Sequence, residues 1–524
     1  MTSFIRPFAS ILFASTTAFA PLPLTAQDVA DPPAAETLDP PEMAAIERAW
    51  AQGDFVTVRQ GLKALAEDSG TALAQYRYGR VLIEGRGGPR DPAGAVLWLD
   101  KAVEQNHVEA ATLLARIYLS DVPDGPGRDA AKAADLLTRA ATRGDASAQY
   151  MLGLLYQNGQ GVAQDQSAAF NWLLAAAEQR HAMAQFSLAA VQFENRENQE
   201  GMRWLRAAAG EGLTEAQIQL AMLLDDPESG VTNRTEALDW FRRAAETGHV
   251  MAQRMLGTRY LQGDGVAADP QEALRWLTLA AKAGDAGAMS NLGYAFARGE
   301  GVPQDMEQAV RWYRMGAENG LGRAMVALAR QFELGSGVAE DFDTALTWYT
   351  RALDTTDARL ARIELGRLTI EGRLDGRAAP QRAVPWVMAA AKAGRDGALD
   401  WLDTQANAGN VQAKSALARH LFDTDEARRE EALTLMRSAA DLGDGPAQFA
   451  LAGILARGDH DGTPDYVEAH KWYNIAATFG HPDAPEKREV LGALMTPEQI
   501  AAAQDAARTW FETDALRVSA PEAN

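Results

Sequence analysis

The side chains able to do chemistry in this chain are few in kind. Cysteine is absent, which excludes a thiol nucleophile, thiolate metal sites, disulfides and lipid attachment through a lipobox. Seven histidines occur, and the densest ligand-type group is Asp459-His460-Asp461 with Asp465 and His470. Its order does not match a calcium loop, which would need another ligand at the Thr463 position and a late Glu, so it reads as an ordinary loop. His181 and His249 fall just after helical stretches, where an imidazole suits a helix C-terminus. Gly-x-Gly recurs at Gly159/Gly161, Gly263/Gly265, Gly299/Gly301 and Gly335/Gly337. A phosphate-binding glycine loop follows a strand and opens a helix. Here each pair follows a helix and precedes an Asp at a fixed distance, which marks a structural loop. No Gly-x-Ser-x-Gly elbow, His-Glu-x-x-His pair or Walker loop is present. The many Asp and Glu residues stand at equivalent loop and cap positions, which explains them better than acid/base pairing does. The expectation is a non-catalytic chain without cofactor or metal.

The elements that carry these residues repeat. AQRMLGTRYLQGDGVAADPQEALRWLTLAAKAG is followed by AMSNLGYAFARGEGVPQDMEQAVRWYRMGAENG, so that Leu256 and Leu292, like Trp276 and Trp312, lie 36 residues apart. A fixed period of this size marks a solenoid whose units bury their apolar faces against neighbours. A small residue four before a leucine opens each unit's first helix, from Ala110/Leu114 through Ala148/Leu152, Ala252/Leu256 and Ala324/Leu328 to Ala447/Leu451, with Ala74/Tyr78 as an early variant. Gly or Ala after that leucine, as at Gly153, Gly257, Gly293 and Gly366, allows a second helix to approach closely. In the loop, the first Gly can end a helix left-handed. The Asp (165, 269, 305, 341) can cap the next helix, and Glu272 stands at capping-box spacing from Asp269. The second helix then reads A-x-x-W-[LFY]-x-x-A-A-x-x-G, as in Ala273, Trp276, Leu277, Ala280, Ala281 and Gly284, with Trp and Ala on one apolar stripe. The tryptophans are therefore expected in the core. Eleven units follow from this count.

These marks resemble the bacterial Sel-one-like repeat family, a tetratricopeptide-related solenoid of 36-residue helix pairs, over about residues 71–480. The resemblance implies an all-α, right-handed α-solenoid of about eleven helix-turn-helix repeats with N- and C-terminal caps. The loops of the units at Ala110, Ala184 and Ala216 depart from the pattern. So does the 52-residue step from Leu365 to Leu417, whose surplus at about 395–410 reads as an extra short helix, either a degenerate unit or a kink. A plain helix pair over 42–70 is expected as the N-terminal cap, and residues 481–524 as a C-terminal capping helix and tail. That helix starts at Thr496-Pro497-Glu498-Gln499 and runs to about Phe511.

Ahead of the array, Arg6 and the apolar run Ile11 to Ala20 read as a secretory signal over 1–26, with cleavage after Ala26. Residues 27–41, rich in Pro, read as a disordered lead-in. The expected location is periplasmic or secreted, with no membrane span in the mature chain. The formal charge of −21 becomes −22 once Arg6 is removed with the signal. That balance disfavours nucleic acid and anionic membranes, permits basic protein partners, and commonly means only a solvated acidic surface.

By resemblance to tetratricopeptide repeats, first helices line the concave face. The residues two, six and nine after the opening Ala would then point into a protein-binding groove: Tyr150, Leu154 and Gln157; Phe186 and Phe193; Ile218 and Met222; Arg254 and Thr258; Ser290 and Tyr294; Arg330 and Glu333. The competing reading is that several pack between neighbouring units. The resemblance implies an exported adaptor or regulator that binds a protein in the bacterial envelope. Wall or polysaccharide binding is the alternative. Hydrolysis of β-lactam or wall substrates is weaker still, since such relatives carry a cysteine pair in each repeat.

Overall fold

The structure, a computed structural model, describes residues 41–459 and 462–513. The signal segment, most of the lead-in, His460 and Asp461, and the final tail lie outside the described residues. Among the described residues there are twenty-seven α-helices and no strand. The chain divides into two compact units between Leu279 and Ala280. Each is built from antiparallel helix pairs stacked as a right-handed solenoid.

In the first unit α1 (Pro41–Ala51) and α2 (Phe55–Asp68) make the N-terminal pair. There follow α3 (Ala72–Glu84) with α4 (Pro92–Glu104), and α5 (Val108–Leu119) with α6 (Ala130–Ala141). Next come α7 (Ala146–Asn158) with α8 (Gln166–Glu178), and α9 (Ala182–Glu194) with α10 (Asn198–Gly210). Then α11 (Thr214–Asp225) pairs with α12 (Arg234–Glu246), and α13 (Val250–Gln262) with α14 (Pro270–Lys282), in which the division falls. The second unit holds α15 (Ala286–Arg298) with α16 (Met306–Glu318), α17 (Gly322–Leu334) with α18 (Phe342–Ala352), and α19 (Ala358–Ile370) with α20 (Pro380–Lys392). A lone helix, α21 (Ala398–Asn407), precedes α22 (Val411–Thr424) with α23 (Arg429–Asp441) and α24 (Gly445–Arg457) with α25 (Tyr466–Thr478). The array ends in α26 (Ala484–Gly492) and α27 (Pro497–Thr513). The eleven repeats become thirteen pairs when the terminal pairs are included, with α21 left over. Helix α26 has no counterpart in the sequence reading.

Close approach within a pair rests on the glycine after the motif leucine. A Cβ on Gly257 would stand 2.8 Å from Leu277 Cγ and 3.0 Å from the Ala273 carbonyl oxygen, and one on Gly366 would stand 2.3 Å from the Trp386 carbonyl oxygen. The loops behave as their sequence requires. Gly159 closes α7 at φ 66°, and Asp165 accepts from the backbone N–H of Ser167 and Ala168. The second loop glycine has a separate duty: at Gly161 a Cβ would collide with the carbonyl of Ala130, the first residue of the preceding pair's second helix. Loop and neighbouring pair are thereby pressed together.

The capping-box expectation at Glu272 fails. Its own N–H is capped by Asp269, but its carboxylate accepts from Trp276 Nε1 at 3.0 Å and from Arg275, whose guanidinium also lies 4.9 Å from the indole centroid. Glu468–Trp472–Lys471 repeats the device, and at Trp240 the indole N–H goes to Glu236 while Arg243 lies over the ring and Glu236 pairs with Arg206. The indole N–H would be costly to leave unpaired at the edge of the core, so the Glu one turn back takes it. Thr496 and Gln499 do form the reciprocal box, with bonds of 2.9 and 3.3 Å. Trp204, Trp276, Trp386 and Trp472 are buried, and Trp312 and Trp348 half-buried.

Consecutive pairs are also tied by a buried glutamine directly after the opening Ala. The side-chain amides of Gln149, Gln185, Gln217, Gln253 and Gln448 donate at 3.0–3.2 Å to the carbonyls of Ala141, Ala177, Ala209, Ala245 and Ala440, each eight residues back. Those carbonyls belong to the last turns of the preceding second helices, where each also accepts the backbone N–H three residues on and the glutamine adds a second donor.

Candidate interaction surface

The residue two after the opening Ala lies in the seam between consecutive pairs, not on an open face. Tyr150, with 8% exposure, stacks on His181 at 4.9 Å between ring centroids, and burial pushes its phenol pKa up. Tyr76 stacks on His107 at 4.7 Å, and Phe449 on His481 at 4.0 Å. Thr112 Oγ1 donates to Asp145 Oδ1 at 3.2 Å. Phe186, Ile218 and Ser290 are likewise buried, and Arg254 half-buried. Groove exposure is therefore corrected for Tyr150, Phe186, Ile218 and Ser290, which are buried, Tyr150 beneath the cap of the next first helix.

The histidines of that seam are N-caps of the following helix rather than C-terminal residues of the one before. Nδ1 of His107, His181 and His249 accepts from the N–H of Ala110, Ala184 and Ala252, the place filled elsewhere by Asp145, Asp285, Asn410 and Asp444. An accepting Nδ1 must be unprotonated. Burial holds the His181 pKa below its ordinary value and so favours this form.

Position nine is mixed. Gln157 and Phe193 are half-buried, the latter lying across Gly201. Glu333 is buried, a second correction. Its carboxylate accepts from Arg367 at 2.7 Å, Arg373 at 2.7 Å and the Tyr349 hydroxyl at 2.9 Å. Arg367 also pairs with Glu364 and Glu371, making a buried charged knot across α17, α18 and α19. Such a group is structural: removing one member would strand the others.

Position six is half-buried in the first unit, as Gln157 and Phe193 are at position nine, and is exposed at several places in the second. Within the first unit it carries Arg80, Arg116, Leu154, Met222 and Thr258, all half-buried. Within the second it carries Tyr294, which is 43% exposed, the exposed Arg330 and Arg419, and Arg367, which is held in the charged knot. Neither Arg330 nor Arg419 has an ion-pair partner among the described residues. Of the groove residues expected from the sequence, Tyr294 and Arg330 are thus the fully exposed ones. Among the described residues no cluster of acidic, histidine or cysteine side chains could hold a metal ion, and no helix is long and apolar enough to cross a membrane. Asp465 is committed to capping Glu468 N–H, and His470 is buried.

Stacked helix pairs with this internal repeat define an α-solenoid repeat protein. The Sel1 repeat model matches residues 72–107, 108–145, 146–181, 214–249, 250–285, 286–321, 322–354, 425–444 and 445–481, together more than half of the chain. The chain belongs to the Sel1 repeat family. Its unmatched stretches include the altered loop after α9 and the step that holds α21.

Among solved structures, the chain is similar to c5321, a protective antigen present in uropathogenic Escherichia coli strains. Identity is 27%, TM-score 0.55, and 89% of this chain and 98% of that one are covered. A Sel1 repeat protein from Oxalobacter formigenes is 26% identical, with TM-score 0.42 over 67% of this chain and 99% of that one. Among curated proteins, chitin synthase regulatory factor 3 of Schizosaccharomyces pombe is 34% identical over 111 residues. Chitin synthase regulator SKT5 of Malassezia restricta is 34% identical over 118. These cover 21% and 22% of this chain but only 12% and 8% of the relatives.

Proposed function

We propose that this chain is an exported, non-catalytic repeat scaffold that binds a protein partner in the bacterial envelope and acts there as an adaptor or regulator. The observation that carries the reading is the row at position six. The other variable positions of the first helices are largely consumed by packing, whereas at this one Tyr294, Arg330 and Arg419 are exposed, Arg367 alone being tied into the charged knot. Tyr and Arg are the side chains that most often anchor protein interfaces, and Tyr294 and Arg330 supply both on neighbouring first helices. Two curated relatives are named as regulators of an enzyme rather than as enzymes, in keeping with this role. Export follows the reading of Arg6 and Ile11 to Ala20 as a signal.

In-cell cross-linking of the chain, followed by recovery from the envelope fraction, tests the proposal. One dominant protein partner is expected, lost on combined Tyr294→Ala and Arg330→Ala substitution. Recovery of glycan without protein, or a partner indifferent to both substitutions, would overturn it.

A further inference from the structure

The seam between consecutive pairs opens into a cavity beside α22. At Tyr76 and Tyr150 the residue two after the opening Ala stacks on the capping histidine of the next first helix, at Thr112 it bonds to the capping Asp145, and Phe449 stacks on His481. On α22 that position is Ser415, and the cap it faces is Asp444. Both line a cavity of about 840 Å³ bounded by α20, α22 and the start of α24. The volume falls in the range of about 300–1,000 Å³ typical of ligand sites.

We propose that this cavity binds an acidic peptide segment of a protein partner, with an apolar side chain beside the carboxylate. The proposal rests on the scaffold reading above. Three observations on different atoms support it. Ser415 is 2% exposed, and its hydroxyl has no hydrogen-bond partner among the described residues. A buried hydroxyl left unpaired is costly, and a small shift of the cavity wall would let a peptide carbonyl or carboxylate accept its proton. Val384, Met388 and Ala416 give the cavity an apolar wall. Lys392 and Arg419 line it as cations, both exposed and without an ion-pair partner among the described residues, in a chain whose net charge is −21. Their acidic neighbours do not cancel them. Asp444 caps Ala447 N–H through one carboxylate oxygen at 2.7 Å, and neither it nor Asp423, on the rim, forms an ion pair with either cation. Unneutralised cations over an apolar wall select an anion attached to an apolar body. Arg419 is also the position-six residue of α22, so the cavity continues the accessible row.

Random heptapeptides displayed on phage and selected on the full chain test this without knowledge of the partner. Two altered chains accompany it: Lys392→Glu with Arg419→Glu reverses the charge at exposed sites, and Ser415→Tyr fills the seam as Tyr150 does. Enriched peptides should carry Asp or Glu beside an aliphatic or aromatic residue. Their affinity should fall about tenfold or more on the double variant, and fall again on Ser415→Tyr. If Ser415→Tyr does not fold, the double variant carries the test alone. Enriched peptides without acidic excess, undiminished binding to the double variant, or no enrichment at all would overturn the site. Peptides lost on Tyr294→Ala/Arg330→Ala but kept by the double variant would overturn the cavity and leave the scaffold reading standing. Absence of any envelope protein partner, with cavity binding intact, would remove only the envelope role.

Discussion

Substituting Ala for Gly257 should loosen one helix pair while leaving its neighbours intact. The added Cβ meets Leu277 Cγ at 2.8 Å and the Ala273 carbonyl oxygen at 3.0 Å, and Leu277 is fully buried. Ordinary contact for a methyl group begins near 3.4 Å, so α13 and α14 must separate by several tenths of an ångström. Overpacking of this kind costs about 1–3 kcal/mol. The gain in helix propensity from Gly to Ala, up to about 1 kcal/mol, offsets part of it. Gly210, on α10 in the same unit, is the control: a Cβ there meets nothing within 4 Å and its φ is not positive, so only the propensity gain remains. Repeat arrays unfold locally, which makes a single melting temperature a poor readout. Native-state amide hydrogen exchange resolves individual pairs. Protected amides of α13 and α14 should exchange faster in Gly257→Ala, up to roughly 30-fold, the equivalent of about 2 kcal/mol remaining after the propensity gain. Those of α10 in Gly210→Ala should be unchanged or slower. Equal protection in wild type and Gly257→Ala would refute the close-approach argument.

Replacing Gln149 by Leu removes one of the two donors to the Ala141 carbonyl, which keeps the Gly144 N–H at 3.0 Å, and should cost about 0.5–1.5 kcal/mol, read as faster exchange in the last turn of α6. Glu333→Gln should destabilise α17–α19 by about 3–5 kcal/mol, because Arg367 and Arg373 lose the buried charge that holds them; denaturant unfolding followed by Trp348 fluorescence reads this. His181 gives a pH dependence of definite sign. Its folded pKa is depressed by burial, so its contribution is fully present above the unfolded value of about 6.5 and is lost as pH falls through the folded value. His181→Asn, which keeps a capping oxygen as at Asn410, should flatten that part of the stability–pH curve below about pH 6.5. A slope unchanged by the substitution would assign the acid sensitivity elsewhere.

The pattern in the chain is unusually explicit about local structure. A first Gly at a helix end and an Asp before the next helix are read correctly at Gly159 and Asp165 because capping depends only on neighbours in sequence. The same is true of the close-approach glycines, whose partners lie on the other helix of the same pair. Glu272 was open to error for a related reason: its spacing suits both Asp269 and Trp276, and sequence spacing alone does not rank the two bonds. His181 offers two helix ends at once, and only the path of the chain shows that it caps the second.

By itself the sequence determined the all-α repeat, its 36-residue period and the absence of thiol chemistry, since these follow from periodicity and composition. Only the tertiary structure decided which variable residues remain accessible. Positions two and six after the opening Ala vary alike from unit to unit, and both sit on the first helix. The next pair covers Tyr150 and leaves Tyr294 and Arg419 open, because burial at a seam requires the next pair to be in place. The cavity at Ser415 is of the same kind: a small residue in the sequence becomes an open seam only where two helix pairs meet around it.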